Sequence, residues 1–165
     1  MEGFIPRELI KTGRLPNGSK YRFKALMDGL CEATTLTEPY ITLAEKKGCR
    51  LVIACFHHGT EVASDRIDAE TYSAFNRAVR EAVRRINANK SAYMHYFIDR
   101  HKDKDPEIAK LKVSDLRESR LYLVDPAPIP EEELQRTYEW MKSWDFLETA
   151  PCASNLVDLS AHVNA

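Results

Sequence analysis

The segment EATTLTEPYITLAEKKGCRLVIACF, residues 32–56, has the pattern of a strand, a helix and a second strand. Glu32–Leu36 is the first strand candidate, and Pro39 begins a helix that runs to Lys47 and ends at Gly48. Arg50–Phe56 is a continuous apolar run, which is typical of a strand covered on both faces. This βαβ order predicts an α/β fold with a small, mostly parallel sheet flanked by helices.

The remaining chain is predicted to be largely helical. Residues 20–62 form the βαβ cleft segment of a single chain, and residues 63–165 form a helical return segment. Few strands for so many helices leave sheet edges that a partner chain should cover. Beyond residues 32–56 the predicted elements are helices at Ser19–Gly29 (with Ser19 as N-cap), Asp68–Asn87, Ser91–His101 and Pro130–Trp144, and a third short strand at Leu121–Val124.

Composition and charge exclude several classes of protein. The 165 residues, 44% of them hydrophobic, suffice for one globular domain with a real core. A net charge of −1 gives no bulk attraction to nucleic acid or to anionic membranes. No apolar run is long enough to span a bilayer, and the opening MEGFIPRELIK has no signal-peptide pattern. We therefore expect a cytoplasmic protein with mostly reduced cysteines, or a periplasmic one if a signal has been removed.

Two stretches resemble one known family. ALMDGLCEATTLTEPYITLAEKKGCRLV (25–52) and PIPEEELQRTYEWMKSWDFLETAPCASNLVDLS (128–160) are similar to segments of type II periplasmic solute-binding proteins. The similarity is to the nitrate, sulfonate, taurine and thiamine-pyrimidine group of ABC-transporter substrate-binding proteins and related enzymes. The order and spacing of the two stretches agree with that group over roughly residues 20 to 160.

The resemblance implies a half-sized version of that fold. Members usually have two α/β lobes around a ligand cleft, and this chain resembles only their C-terminal half. The chain is therefore expected to be either a fragment or a subunit. We favour the subunit, with a second polypeptide supplying the N-terminal half, or a homo-oligomer. The family's Glu-Pro-Tyr loop lies at the cleft, so the resemblance implies five candidate ligand contacts, namely Thr34, Thr35, Thr37, Glu38 and Tyr40. The alternative for Glu38 is a helix-capping role, with Pro39 starting the helix.

The motif CFHHGTEV, residues 55–62, places a thiol, two imidazoles and a carboxylate close together. Cys55, His57 and His58 could bind a transition metal such as zinc or iron if the chain bends at Gly59. His57 and His58 could instead act as general acid or base, assisted by Glu38 or Glu61. The third alternative is a cleft-lining turn with a structural role only. The sequence leaves all three open.

The predicted function is binding of a small organic or anionic solute in a cleft formed by loops 34–40 and 55–61. The alternative is an enzyme subunit of the same fold, completed by a partner chain. Such a subunit would carry a decarboxylase-, hydrolase- or lyase-type reaction through His57 and His58. Turnover lost on His57→Ala or His58→Ala without unfolding would support the enzyme, and calorimetric binding of a solute would support the binding protein.

Overall fold

The structure, a computed structural model, describes residues 6–11, 16–54, 64 and 66–147. The chain divides into two compact units: unit 1 comprises Met1–Phe56 and Ser91–Leu121, and unit 2 comprises His57–Lys90 and Tyr122–Ala165. The helices of the described ranges are α1 (Ser19–Met27), α2 (Tyr40–Lys46), α3 (Ala69–Ala88), α4 (His95–Asp99), α5 (Pro106–Ala109) and α6 (Glu131–Ser143), with 3₁₀ turns at Arg7–Leu9, Lys90–Tyr93, Val113–Asp115 and Glu118–Arg120.

The predicted parallel sheet is wrong. None of the described residues belongs to a β-strand, and the described chain is mostly helical, which also contradicts the α/β solute-binding fold implied by the resemblance. The expected strand at Glu32–Leu36 and the described part of the expected strand at Arg50–Phe56 are irregular, as is Leu121–Val124. A strand requires a neighbouring backbone for its ladder of hydrogen bonds, and no described segment supplies one.

The solvent exposure of residues 51–53 also contradicts the predicted buried strand. Leu51, Val52 and Ile53 are 47%, 78% and 79% exposed, whereas a strand of a parallel sheet is covered on both faces. Short apolar runs carry no periodicity that separates a strand from an irregular segment. Composition alone predicts a strand for this run, and the tertiary structure does not bury it.

Unit 1 is built around one face of α2. Tyr40, Leu43 and Ala44 recur at helical spacing and are all buried, which explains why this segment is a helix. Gly48, with φ +91°, ends the helix as predicted, because a left-handed residue stops helical hydrogen bonding at low cost only when it lacks a Cβ. The core consists of Tyr40, Leu43, Met94, Ile98, Ile108, Leu111 and Leu116, with Phe23, Leu36, Phe97 and Leu121 packed against it.

Unit 2 contains the two long helices, and both were predicted. Asp68 caps α3 by accepting a hydrogen bond from the Thr71 backbone N–H at 2.7 Å, so the helix begins one residue after the predicted start. Its buried residues are Val83, from the apolar stripe, and the polar Asn76. The predicted helix at Pro130–Trp144 is α6, with three glutamates in its first turn.

In the N-terminal part of unit 1 the predicted helix at Ser19–Gly29 is confirmed as α1, but its cap differs. Gly18 occupies the N-cap position and Ser19 is the first helical residue. The predicted helix at Ser91–His101 is a 3₁₀ turn followed by the five-residue α4.

Among the described residues, no helix has both the length and the apolar character that crossing a membrane requires.

Candidate functional site

Glu38, a predicted ligand contact, lies buried at the start of α2. Its carboxylate accepts hydrogen bonds from the Thr42 backbone N–H at 3.1 Å and from the Thr42 hydroxyl at 3.0 Å. Arg120 donates a further bond through Nη1 to Glu38 Oε1 at 2.8 Å. Glu38 therefore satisfies a backbone N–H of the first turn of α2, although Pro39 and not Glu38 occupies the N-cap position; its contact with a ligand stays a prediction.

Arg120 joins Glu38 to a second carboxylate. Its Nη2 lies 2.8 Å from Glu45 Oε1, and the more exposed Arg117 lies 3.5 Å from the same oxygen. The hydrogen bond from Arg120 lowers the pKa of Glu45, against a smaller opposing effect of burial. Burial disfavours the charged guanidinium, but the bonds to Glu45 and Glu38 outweigh it and raise the pKa of Arg120. The three groups form an ion pair network that ties the 3₁₀ turn at Glu118–Arg120 to α2.

Tyr40, the second buried candidate, lies in the core. Its hydroxyl donates to Asp105 Oδ2 at 3.0 Å, and its ring lies 5.8 Å from that of Phe23 and 5.7 Å from that of His101. Burial, followed by the hydrogen bond to the Asp105 carboxylate, raises the pKa of Tyr40 to about 12. Asp105 also caps α5 by accepting from the Glu107 backbone N–H at 3.1 Å. The phenol thus has an internal partner.

The threonines of the predicted loop are more accessible. Thr34 is half-buried, and Thr35 and Thr37 are exposed. The hydroxyl oxygens of Thr37 and Ser19 lie 2.9 Å apart, and the Thr37 backbone N–H donates to Ser19 Oγ at 3.2 Å. The loop therefore meets the first turn of α1, a pairing of residues 18 positions apart that no local sequence signal revealed.

Helix α1 carries positively charged side chains next to the loop that contains Thr37. It contains Lys20, Arg22 and Lys24 but no carboxylate. The next acidic residue after the helix is Asp28, which pairs with Lys24 at 2.7 Å. Lys20 Nζ donates to the Lys104 carbonyl at 2.6 Å. The Nε of the half-buried Arg22 is fully buried and has no hydrogen-bond partner among the described residues. A buried guanidinium N–H without an acceptor is unfavourable, which makes Arg22 Nε a candidate hydrogen-bond donor to a ligand.

Cys55, His57, His58 and Glu61 lie outside the described residues, so their metal-binding and catalytic roles stay predictions. His101 is half-buried against Tyr40, and its pKa is lowered by burial and by the nearby charges of Arg100 and Lys104. Within the described ranges, no group of three or more His, Cys, Asp or Glu is arranged to hold a metal ion.

No protein-family model matches the chain, and neither does a curated protein sequence or a solved structure. The resemblance to solute-binding proteins therefore depends on the two sequence stretches alone. Function has to be inferred from the chemistry of the described residues, above all from the charged first turn of α1 and the hydroxyl groups beside it.

Proposed function

We propose that the chain binds a small organic anion, with a carboxylate, sulfonate or phosphate group, at the first turn of α1. The binding residues are Ser19, Lys20 and Arg22 on the helix and Thr37 on the predicted ligand loop. One observation carries the proposal: Arg22 Nε is buried and has no acceptor within the described residues, although its helix contains no carboxylate to neutralise it.

The placement of the polar groups supports this ligand class. Ser19 and Arg22 are three residues apart on α1, so they are neighbours on one face of the helix. Thr37 reaches the same turn through its hydroxyl contact with Ser19. The N-terminal end of a helix has a positive dipole and free backbone N–H groups, which favour an anion. Hydroxyl and guanidinium donors together are typical of sites for oxyanions.

The charged residues next to Thr37 also permit binding of an anion. Glu38, the acidic residue next to Thr37, is neutralised by Arg120 at 2.8 Å, so its charge does not oppose binding. Tyr40 is occupied by Asp105 and contributes packing. The proposal therefore retains Thr37 from the predicted ligand contacts and adds three residues of α1 that the sequence reasoning did not select.

The test is isothermal titration calorimetry with methanesulfonate, and with dimethyl sulfone as its uncharged counterpart. We expect saturable binding of methanesulfonate only, weakened about tenfold or more by Arg22→Gln and less strongly by Thr37→Val. Lys24→Gln is the matched control, because it removes one positive charge from the same helix at a residue already paired with Asp28. Equal loss in Lys24→Gln, or equal binding of dimethyl sulfone, would reject the proposal.

We propose that the expected second polypeptide or second copy covers an exposed apolar run of unit 1. Leu51, Val52 and Ile53 form a contiguous exposed apolar run in unit 1, which is unusual for a surface that meets only water. Sedimentation velocity over a range of concentrations should show association by the wild type that Val52→Lys reduces. Identical monomeric sedimentation of both proteins would remove the homo-oligomer from consideration.

A further inference from the structure

Three aromatic rings meet at the C-terminal end of α6 in unit 2. The ring centroids of Trp140 and Trp144 are 5.9 Å apart, those of Trp140 and Phe146 are 5.9 Å apart, and those of Trp144 and Phe146 are 6.2 Å apart. We call this group the aromatic triad. Its two tryptophans are the only ones in the chain.

The triad follows from the way the helix ends. Trp140 and Trp144 are four residues apart and therefore share a helix face. Asp145 then adopts φ +55°, the left-handed conformation that reverses the chain after a helix. The Phe146 backbone N–H donates to the Met141 carbonyl at 3.1 Å and the Asp145 N–H donates to Lys142 at 3.1 Å, which is the hydrogen-bond pattern of a Schellman motif. The reversal brings the Phe146 ring back to the tryptophans.

The triad presents aromatic surface to solvent. Trp140 is 40% exposed and Phe146 is 58% exposed, while Trp144 is half-buried. Packing alone would bury rings of this size more completely, because each contributes a large apolar area. A cluster of three rings held by a defined turn is also a ready surface for a ligand, since the faces of aromatic rings attract positive charge.

The charges near the aromatic triad favour a cation as its ligand. Between Glu139 and Phe146 the chain carries two carboxylates, Glu139 and Asp145, against one basic group, Lys142, a formal charge of −1; the three glutamates of the first turn and Arg136 lie further from the triad along α6. Of the basic groups, Arg136 lies 3.9 Å from Glu133, and Lys142 is two residues from each tryptophan, a spacing that places it on the opposite side of the helix. The carbonyl groups at the C-terminal end of α6 add the negative end of the helix dipole.

From these contacts we infer that the aromatic triad binds a small quaternary ammonium ion. Such an ion has no N–H donors, so it needs no hydrogen-bond acceptors and is held by ring faces and a negative field. A primary amine or a metal ion would retain its water more strongly at an aromatic surface. The ligand has the opposite charge from that proposed for α1 and the site lies in the other unit, so either proposal can fail alone.

The test uses intrinsic tryptophan fluorescence, because the only two tryptophans of the chain belong to the triad. Choline is titrated against 3,3-dimethylbutan-1-ol, which replaces the ammonium nitrogen by carbon and has no charge. We expect a saturable fluorescence change with choline only, and affinity about fivefold lower in Trp140→Leu and in Phe146→Leu. Circular dichroism should show both variants to be folded.

Tyr96→Leu is the matched control, because Tyr96 is 61% exposed and lies in unit 1. It should leave the choline titration unchanged. Equal responses to choline and to the uncharged alcohol would show an apolar surface only, and unchanged choline affinity in folded Trp140→Leu and Phe146→Leu would place the ligand elsewhere. Either result overturns the inference.

Discussion

Arg120 and Glu38 are 82 residues apart in the chain, yet their side chains meet at 2.8 Å and are almost entirely removed from solvent. Glu38 also binds the first turn of α2 through Thr42, so this one contact connects the C-terminal part of unit 1 to the helix at its centre. Charged pairs this well buried are costly to break from one side, because the remaining charge has no counter-ion.

Replacing Arg120 by methionine should therefore destabilise the protein strongly. We expect the free energy of unfolding to fall by about 3–5 kcal/mol, because the buried Glu38 carboxyl loses its counter-ion. Urea denaturation followed by circular dichroism measures the loss. Arg117→Met is the control, since Arg117 is 63% exposed and its surface pair is expected to contribute about 1 kcal/mol or less. Equal losses in the two variants would contradict the importance of the buried pair.

The same network predicts how stability depends on pH. The pKa of Glu45 is lowered from 4.5 in the folded state, so the ionised form binds its partners better than the protonated form. The contribution of Glu45 is present above its unfolded pKa and is lost as the pH falls through the lower folded value. Urea midpoints measured from about pH 7 to about pH 3 should fall more steeply for the wild type than for Glu45→Gln. Parallel curves would show that Glu45 makes no such contribution.

Tyr40→Phe tests whether the phenol serves the core or a ligand. The substitution removes the bond to Asp105 and leaves a buried carboxylate oxygen with one partner fewer, so we expect a loss of about 1–3 kcal/mol in urea denaturation. Calorimetric binding of methanesulfonate should be unchanged within about twofold. Weaker binding without a loss of stability would return Tyr40 to the ligand contacts predicted from sequence.

Gly48 tests the termination of α2. Its φ of +91° is unfavourable for residues with a Cβ, although a Cβ there would meet no atom within 4 Å. Gly48→Ala should therefore cost about 1 kcal/mol through backbone strain alone. Gly48→Asn should cost less, because asparagine tolerates left-handed conformations better than alanine does. If thermal unfolding shows asparagine to be the more harmful of the two, the loss has another cause.

Helices could be predicted where their determinants are local. Asp68 and Thr71 are three residues apart and together cap α3, and the apolar stripe of that helix repeats every three or four positions. Gly48, which ends α2, lies only a few residues after the start of that helix, so this determinant is also local. Strands could not be predicted in the same way, because a strand depends on hydrogen bonds to a separate segment. Leu51–Ile53 has strand composition, but no described segment pairs with it.

The candidate site shows the same division. A threonine-rich loop before Pro39 was recognisable in the sequence, and Thr37 belongs to the proposed anion site. The lack of an acceptor for the buried Nε of Arg22 in the described part of the chain was not recognisable, because it depends on which groups surround the guanidinium after folding. The pairing of Glu38 with Arg120 could not be predicted either, because the two residues are 82 positions apart and periodic patterns relate residues only a few positions apart.

The amino-acid sequence by itself determined the two long helices, the end of α2 at Gly48 and the net charge, because capping residues, apolar periodicity and ionisable groups act over a few positions. The tertiary structure alone decided which charges are neutralised and which polar groups stay available. It placed Glu38 against Arg120 and left Arg22 Nε without an acceptor in the described part of the chain. Burial and long-range contact set those outcomes, since the energy of a charge depends on its surroundings more than on its neighbours in sequence.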